Sequence, residues 1–585
     1  MSAPGGRGAG WGRDLVLLAL CAGVFFGFQL GDRALWSPDE GRYTEVAREM
    51  VASGDYITPR LEGVKFFEKP PLFYWLESAS IKIFGVNEWS LRLWPAAFAL
   101  LGCLAVYAGG RKLFDRRTGW LAAVVLATPG MHYAMSRVAN LDMVLSALLA
   151  AALLAFVSGA RAPPGLGRRL AMGIFFAAMA LAVLEKGLIG VALPGLIIGT
   201  WILLTGEWTV LKTLYLPSGL ALFTTIAAPW HILVSRVNPE FFQFYFIREH
   251  FQRFLYKNGP LDHPWTFVPV LLVGLFPWTV FLFQAVRHNL RRALRPGRGQ
   301  KETLFLVVWA GWVFLFFSLS SSKVIPYILP MFPPLAILIG RYFTAAWDRP
   351  GLEGVRTGFW LFLGAALIVA GLGLKGPQHY LERYSNWPDL EVPNDEATIP
   401  STAATTYPEL VRLRPFLAAQ SVILVAGALT AISLGRRRGF PWAFSALGLT
   451  AALFLAVLNS SLPIFDQRRS VKDLALALKP RLQTRDEVAS YHAYYQDLPL
   501  YLQRQVTQVG WVEPFARWEE GPSRRADDDA FFWRRWDGPA TIYALTDKAG
   551  YDRLRGGSER KVFLVAQTNY DVVFSNKLGP GAAPR

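Results

Sequence analysis

The sequence predicts a polytopic α-helical membrane protein that ends in a small α/β domain, on three observations. Hydrophobic residues make up 53% of the 585 positions and charged residues 18%, and the apolar residues gather in runs close to the ~20 needed to cross about 30 Å of hydrocarbon. Alternate connections between these runs carry basic clusters: Arg111-Lys112 with Arg116-Arg117, Arg161 with Arg168-Arg169, Arg287 to Lys301, and Arg436-Arg437-Arg438. Such clusters mark cytoplasmic loops. After about Leu462 the apolar runs shorten to strand length. The net charge of +17 therefore reports topology, and no nucleic-acid partner is expected. Cys21 and Cys103 both lie inside apolar runs and offer no disulfide framework.

In chain order, Arg7 and Arg13 precede an apolar run from Leu15 to about Leu30 that has no small-residue cleavage site at its end. It reads as a retained first helix with its start inside. A long first outer loop, 32–89, follows. It holds an amphipathic helix over Tyr43 to Val51, stopped by Ser53-Gly54, and a second that starts at Pro70-Pro71 and runs to about Phe84. Both are expected along the membrane surface. Further spans are expected near 91–110, 119–135, 142–160, 170–184, 188–204, 214–234, 266–286, 303–320, 325–340, 357–374, 416–434 and 441–459, about thirteen in all with the first. The tail shows strands at Glu487–Tyr491, Ala540–Leu545, Val562–Ala566 and Asp571–Phe574, with helices near Val471–Leu478 and Leu498–Gln503. The expected domains are thus a membrane domain, 1–461, and an α/β domain, 462–585. An odd span count from an inside start places the second outside, in the periplasm.

Ionisable groups beside a membrane are expensive unless they serve a ligand, a metal or each other. On this topology Asp39, Glu40, Glu68, Lys69, Arg137, Asp142, Lys186, His250, Arg253, Lys323 and Tyr327 fall at or near outer span ends, while span middles hold almost none. An ion-coupled transporter would put charges and broken helices near mid-membrane, so that class is disfavoured. Ser320 to Pro334 contains four prolines, whose freed backbone groups suit the wall of a polar cavity. Arg33, Arg48 and Glu62 read as solvated loop charges, and Trp89, Trp94 and Tyr342 as interface anchors.

Pro38-Asp-Glu-Gly-Arg42, Phe67-Glu-Lys-Pro-Pro71, Asn140-Leu-Asp142, Glu249-His-Phe-Gln-Arg253 and Ser322-Lys-Val-Ile-Pro-Tyr-Ile-Leu-Pro330 together resemble the successive motifs of the bacterial 4-amino-4-deoxy-L-arabinose lipid A transferases. These are polyprenyl-phosphate-dependent membrane glycosyltransferases related to the protein O-mannosyltransferases. Order and spacing agree over roughly the first 340 residues. The resemblance implies the C-type glycosyltransferase fold and transfer of a sugar from undecaprenyl phosphate to lipid A at the outer face of the inner membrane, a modification tied to polymyxin resistance. It also implies a divalent metal, zinc, near Glu68 and His250, although a zinc site wants three or four ligands.

The chemistry fits. A sugar leaving a lipid phosphate becomes cationic while the phosphate gains negative charge, so fixed cations should surround the leaving group. Lys69, Arg253 and Lys323 are the candidates, with Tyr327 as a hydrogen-bond donor. Carboxylates opposite them can stabilise the sugar or orient the acceptor; Asp39 is assigned first, Asp142 second, and Glu40 stands beside Asp39. The bland alternatives are snorkelling for Lys69 and Lys323, helix capping for Asp142, and an interfacial role for His250. At the level of function, the alternatives are transfer to a protein or glycan hydroxyl, a flippase for the same lipid-linked sugar, and an assembly scaffold.

Overall fold

In the computed structural model, residues 10–252, 263–295, 299–348, 354–375, 409–510, 529–557 and 560–577 are described. Among them nine helices are long and apolar enough to cross a membrane, or ten if one sharply bent pair counts as a span. The difference from thirteen has four local causes. The first helix, α1 (Trp11–Gly27), has 17 residues. The run at 119–135 is broken at Thr128-Pro129 into Arg116–Ala127 and Gly130–Met135. Ile189–Thr205 has 17 residues. The run at 266–286 bends by 106° between Phe267–Gly274 and Thr279–Ala293, where Pro277 removes a backbone donor.

The chain divides into two compact units, Met1–Gln29 with Trp94–Ser235 and Glu240–Ser461, and Leu30–Leu93 with Arg236–Pro239 and Leu462–Arg585. In the first unit, Leu141–Ala160 and the segment Ile325–Asp348 are the most enclosed spans and Leu216–Val237 the least. Asp14 ties α1 into this unit: its buried carboxylate accepts from Tyr107 Oη at 2.5 Å, Arg111 Nη1 at 2.8 Å and Arg116 Nε at 2.6 Å. Arg137, buried, donates to the carbonyls of Phe26 and Phe28 and to Asn459 Oδ1 at 2.9 Å, filling acceptors that the end of a helix leaves open. Tyr342 is 1% exposed beside His288, so it is a core residue and not an interface anchor.

The second unit contains the loop helices and the tail. Helix α2 (Asp39–Ser53) ends at Gly54 with φ 73°, and α3 covers Leu72–Phe84; both follow the apolar spacing and stop signals of the sequence. They pack through Tyr43 against Phe73 and Tyr74 and through Ser78 Oγ donating to Ala47 O. Between them the hairpin of β1 (Arg60–Leu61) and β2 (Val64–Lys65) turns at Glu62 and Gly63, both at positive φ. The tail forms one five-stranded sheet of β3 (Glu487–Tyr491), β4 (Thr507–Val509), β5 (Ile542–Asp547), β6 (Phe563–Gln567) and β7 (Asp571–Ser575) in the order β4-β3-β5-β7-β6, with β4-β3-β5 parallel and the rest antiparallel. Alternation along the strands sends Val488, Tyr543 and Leu545 into one core and Ala489, Ile542 and Ala544 into the other, so helices cover both faces.

Candidate functional site

The stretch Leu30 to Asp39 has no helix or strand until α2 begins, so its polar backbone must find partners elsewhere. Glu40 is the first. It lies between two guanidiniums: Arg33 Nη1 donates to Oε2 at 2.8 Å, Arg92 Nε to Oε1 at 2.7 Å and Arg92 Nη2 to Oε2 at 2.9 Å, and Trp36 N donates to Oε2 at 2.9 Å. All three charged side chains are buried. Arg92 also donates to the carbonyls of Arg33 at 2.7 Å and Ala34 at 2.6 Å. Burial pushes the Glu40 carboxyl up, but the two guanidiniums and their hydrogen bonds outweigh it and hold the pKa down at about 2. Both oxygens are engaged by protein donors, so we move Glu40 from the reacting groups to the scaffold of the turn. Arg33, expected in solvent, is part of the same buried cluster and lies 4.3 Å from the Trp36 ring centroid. Arg48 and Glu62 depart from expectation in the same way: Arg48 forks onto Glu45 at 2.5 and 2.7 Å, and buried Glu62 accepts from Val506 N at 3.0 Å.

Asp39 opens α2 and is half-buried, and a carboxylate in the first turn is favoured by the helix dipole. Arg42 lies three residues on, hence on the same face, with Nη1 3.9 Å from Glu68 Oε2. Lys69 Nζ donates to Glu68 O at 3.0 Å. Asp39, Arg42, Glu68 and Lys69 are all half-buried residues of the second unit, and Arg42 and Glu68 are brought together there. Arg42, inside the Pro38 to Arg42 motif, is not among the cations the sequence singles out, yet its guanidinium approaches the Glu68 carboxylate.

In the first unit, Asn140 caps α4 (Leu141–Ala160), its side chain accepting from Asp142 N at 3.1 Å. Capping therefore falls to Asn140, and the Asp142 carboxylate instead accepts from Lys186 Nζ. Lys186 ends the helix Leu166–Lys186, and Gly187 with φ 78° reverses the chain there. Its ammonium sits 4.4 Å from the Tyr327 ring centroid, a cation–π contact. Tyr327 lies in the 3₁₀ turn Ile325–Met331, 5.2 Å from the Phe317 ring, and Lys323 Nζ donates to Ser320 O at 2.6 Å. Asp142 and Tyr327 are therefore joined through Lys186. Arg253 and the side chain of His250 lie outside the described residues. His250 belongs to the π-helical turn Gln243–Gln252, a geometry that often marks functional positions. Among the described residues no group of three His, Cys, Asp or Glu side chains could hold a metal, and Glu68 has a cation, Arg42, within 3.9 Å.

Residues 27–245 match the dolichyl-phosphate-mannose-protein mannosyltransferase family. The chain is 34% identical over 357 residues to the undecaprenyl phosphate-alpha-4-amino-4-deoxy-L-arabinose arabinosyl transferase 2 of Sodalis glossinidius, covering 60% of this chain and 64% of that one. It is 32% identical over 338 residues to the corresponding transferase of Edwardsiella ictaluri, covering 57% and 59%. The aligned region thus spans less than two thirds of these relatives' length. The crystal structure of ArnT from Cupriavidus metallidurans bound to undecaprenyl phosphate superposes with a TM-score of 0.82 at 28% identity, over 98% of this chain and 99% of that one. Fold and similarity define a multi-pass inner-membrane protein with the C-type glycosyltransferase fold. The chain is thus similar to the aminoarabinose arabinosyl transferases over somewhat more than half its length and, over residues 27–245, to the protein mannosyltransferases.

Proposed function

We propose that this chain transfers 4-amino-4-deoxy-L-arabinose from undecaprenyl phosphate to lipid A at the periplasmic face of the inner membrane. The observation that carries the proposal is the similarity, over nearly the whole of both chains, to a transferase solved with undecaprenyl phosphate bound. In the reaction the bond between the anomeric carbon and the phosphate oxygen breaks, undecaprenyl phosphate departs with the electron pair, and an acceptor oxygen bonds to the anomeric carbon. Lys69, Lys323, Arg253 and Tyr327 hold the departing phosphate, where fixed positive charge acts most strongly as negative charge develops. Lys186 joins this set through its contact with Tyr327. Asp39 faces the developing positive charge, and Asp142, once the donor phosphate competes for Lys186, can take the sugar's ammonium. A phosphate acceptor is already ionised and needs no base; a hydroxyl acceptor passes its proton to Asp39.

The orientation that goes with this proposal has the N-terminus in the cytoplasm and residues 462–585 in the periplasm. A divalent ion on Glu68 and His250, with water or donor phosphate as further ligands, is a separate proposal; zinc content of purified wild type and Glu68→Gln tests it, and equal content in both ends it. Transfer to a protein hydroxyl is a second reading, favoured by the mannosyltransferase match over 27–245. Mass spectrometry of lipid A from cells with and without this chain separates the two: a gain of one aminoarabinose unit supports the first, and unchanged lipid A overturns it. Asp39→Asn in purified protein should lower transfer at least about a hundredfold while donor binding changes much less, since the carboxylate acts mainly in the transition state. Wild-type transfer by that variant refutes the role of Asp39.

A further inference from the structure

The turn Ala34–Ser37 has four backbone N–H groups and neither helix nor strand to absorb them. One, from Trp36, stays local and binds Glu40. The other three go to residues more than 400 positions later: Ala34 N to Asp466 Oδ2 at 3.0 Å, Leu35 N to Tyr501 Oη at 2.8 Å, and Ser37 N to Arg469 O at 2.9 Å. Side chains repeat the pattern. Trp36 Nε1 donates to Asp466 Oδ1 at 2.9 Å, and Ser37 Oγ donates to Asp497 Oδ1 at 2.7 Å. Asp497 is wholly buried, and its second oxygen accepts from Ser470 Oγ at 2.6 Å and Val471 N at 2.9 Å. At Gly41 a Cβ would lie 2.6 Å from Asp497 N, so the first turn of α2 rests directly on that backbone.

We infer that the segment after Leu462 is a positioning element for the transfer site, in which Asp497, acting through Ser37, fixes the turn that carries Asp39. The inference rests on the reading in which Asp39 acts on the transferred sugar. Only Pro38 separates Ser37 from Asp39, and its ring locks φ, so a rotation at Ser37 is passed on to the carboxylate with little slack. Asp497 is suited to the task because its two oxygens face two ways: one binds the turn, the other binds the segment Ser470–Val471 from which the tail's fold begins.

Two serines give the same carboxylate one hydrogen bond each, and only one of them is on the turn. Ser37→Ala and Ser470→Ala should lower the melting temperature of the full-length protein by similar amounts. Transfer from undecaprenyl-phosphate-linked aminoarabinose to lipid A should fall about 10- to 100-fold for Ser37→Ala, as expected for a misplaced reacting group, with donor KM little changed. Ser470→Ala, which leaves Asp497 held by Val471 N and Ser37, should keep near wild-type kcat. Ser37→Thr, which keeps the hydroxyl, should restore part of the loss. In the Asp39→Asn background, Ser37→Ala should cost nothing more. Equal kcat losses for both serine variants, wild-type kcat for Ser37→Ala, or an undiminished Ser37→Ala effect in the Asp39→Asn background would each overturn the positioning role. Wild-type transfer by Asp39→Asn alone would instead overturn the reading of Asp39, so the two failures are distinguishable.

Discussion

Replacing Glu40 by Gln tests whether this carboxylate is scaffold or chemistry. The native carboxyl titrates at about 2 against an ordinary 4.5, because Arg33 and Arg92 overcome the cost of burial. A depressed carboxyl contributes stability that is fully present above the unfolded pKa and is lost as pH falls through the folded one. The window is therefore pH 4.5 down to 2, and the contribution at pH 7 is about 3 kcal/mol from the shift. Gln keeps the shape and can still accept from Trp36 N, but it removes the negative charge to which both buried guanidiniums hydrogen-bond. Truncating one member of a buried ion cluster costs about 3–5 kcal/mol, which agrees in size. For a unit of this size the melting temperature should drop by roughly 10 °C at pH 7, and the gap between variant and wild type should close as both are taken toward pH 2. Differential scanning fluorimetry in detergent across pH 2.5 to 7.5 measures both. A Gln variant that melts with the wild type at pH 7 yet has lost transfer would refute the scaffold argument and return Glu40 to the reacting groups.

Lys323→Ala and Lys69→Ala should each weaken binding of undecaprenyl phosphate by about 1.5–3 kcal/mol, the worth of a charge-assisted contact, and Lys→Arg should restore only part of it because a planar fork replaces a point charge; unchanged affinity in both Ala variants would mean that the ammoniums only reach toward headgroups. Burial pushes Asp571 up to about 6, against the hydrogen bond from Tyr495. A raised carboxyl favours folding below its unfolded pKa and loses that contribution as pH rises through the folded one, so Asp571→Asn should gain stability over wild type between pH 4 and 6 and hold that gain above, read as a melting-temperature difference larger at pH 8 than at pH 4. A reporter active only in the periplasm should work when fused after Arg585 and fail when fused after Arg438; the reverse pattern would put every assigned residue on the wrong face.

Much of the architecture was legible because its signals are local. The 3.6-residue spacing over Tyr43 to Val51 and the Ser53-Gly54 stop define α2 to within a few residues, and strand Glu487–Tyr491 is read to its ends from a run of strand length that holds Val488 and Tyr491. Hydropathy read too much where it ignored backbone chemistry: Pro129 and Pro277 were visible inside the apolar runs they interrupt. The site was legible as a set of residue types and hidden as a set of partnerships. Asp142 and Lys186 stand 44 positions apart, and nothing in either local stretch says that one pairs with the other. Arg33, Arg48 and Glu62 looked solvated because a loop was weighed against water, whereas Glu62 accepts from Val506 and Arg33 is enclosed with Glu40 and Arg92.

Fixing one residue's backbone costs about 1–2 kcal/mol, so holding the six residues from Arg33 to Pro38 in one conformation costs on the order of 6–12 kcal/mol. No helix or strand repays it locally. Arg33 and Arg92 with Glu40 anchor one side of the turn, and Asp466, Arg469, Asp497 and Tyr501 anchor the other. Each anchor is either buried charge or a hydrogen bond that water cannot easily replace, and removing one leaves its partner unsatisfied at about 1–3 kcal/mol. On the role proposed for Asp39, a carboxylate that directly follows such a turn gains fixed placement before substrate arrives, which is where positioned electrostatics derives its advantage over solvent. The motif that opens at Pro38 therefore follows a turn whose backbone and Ser37 hydroxyl are held by residues more than 400 positions away.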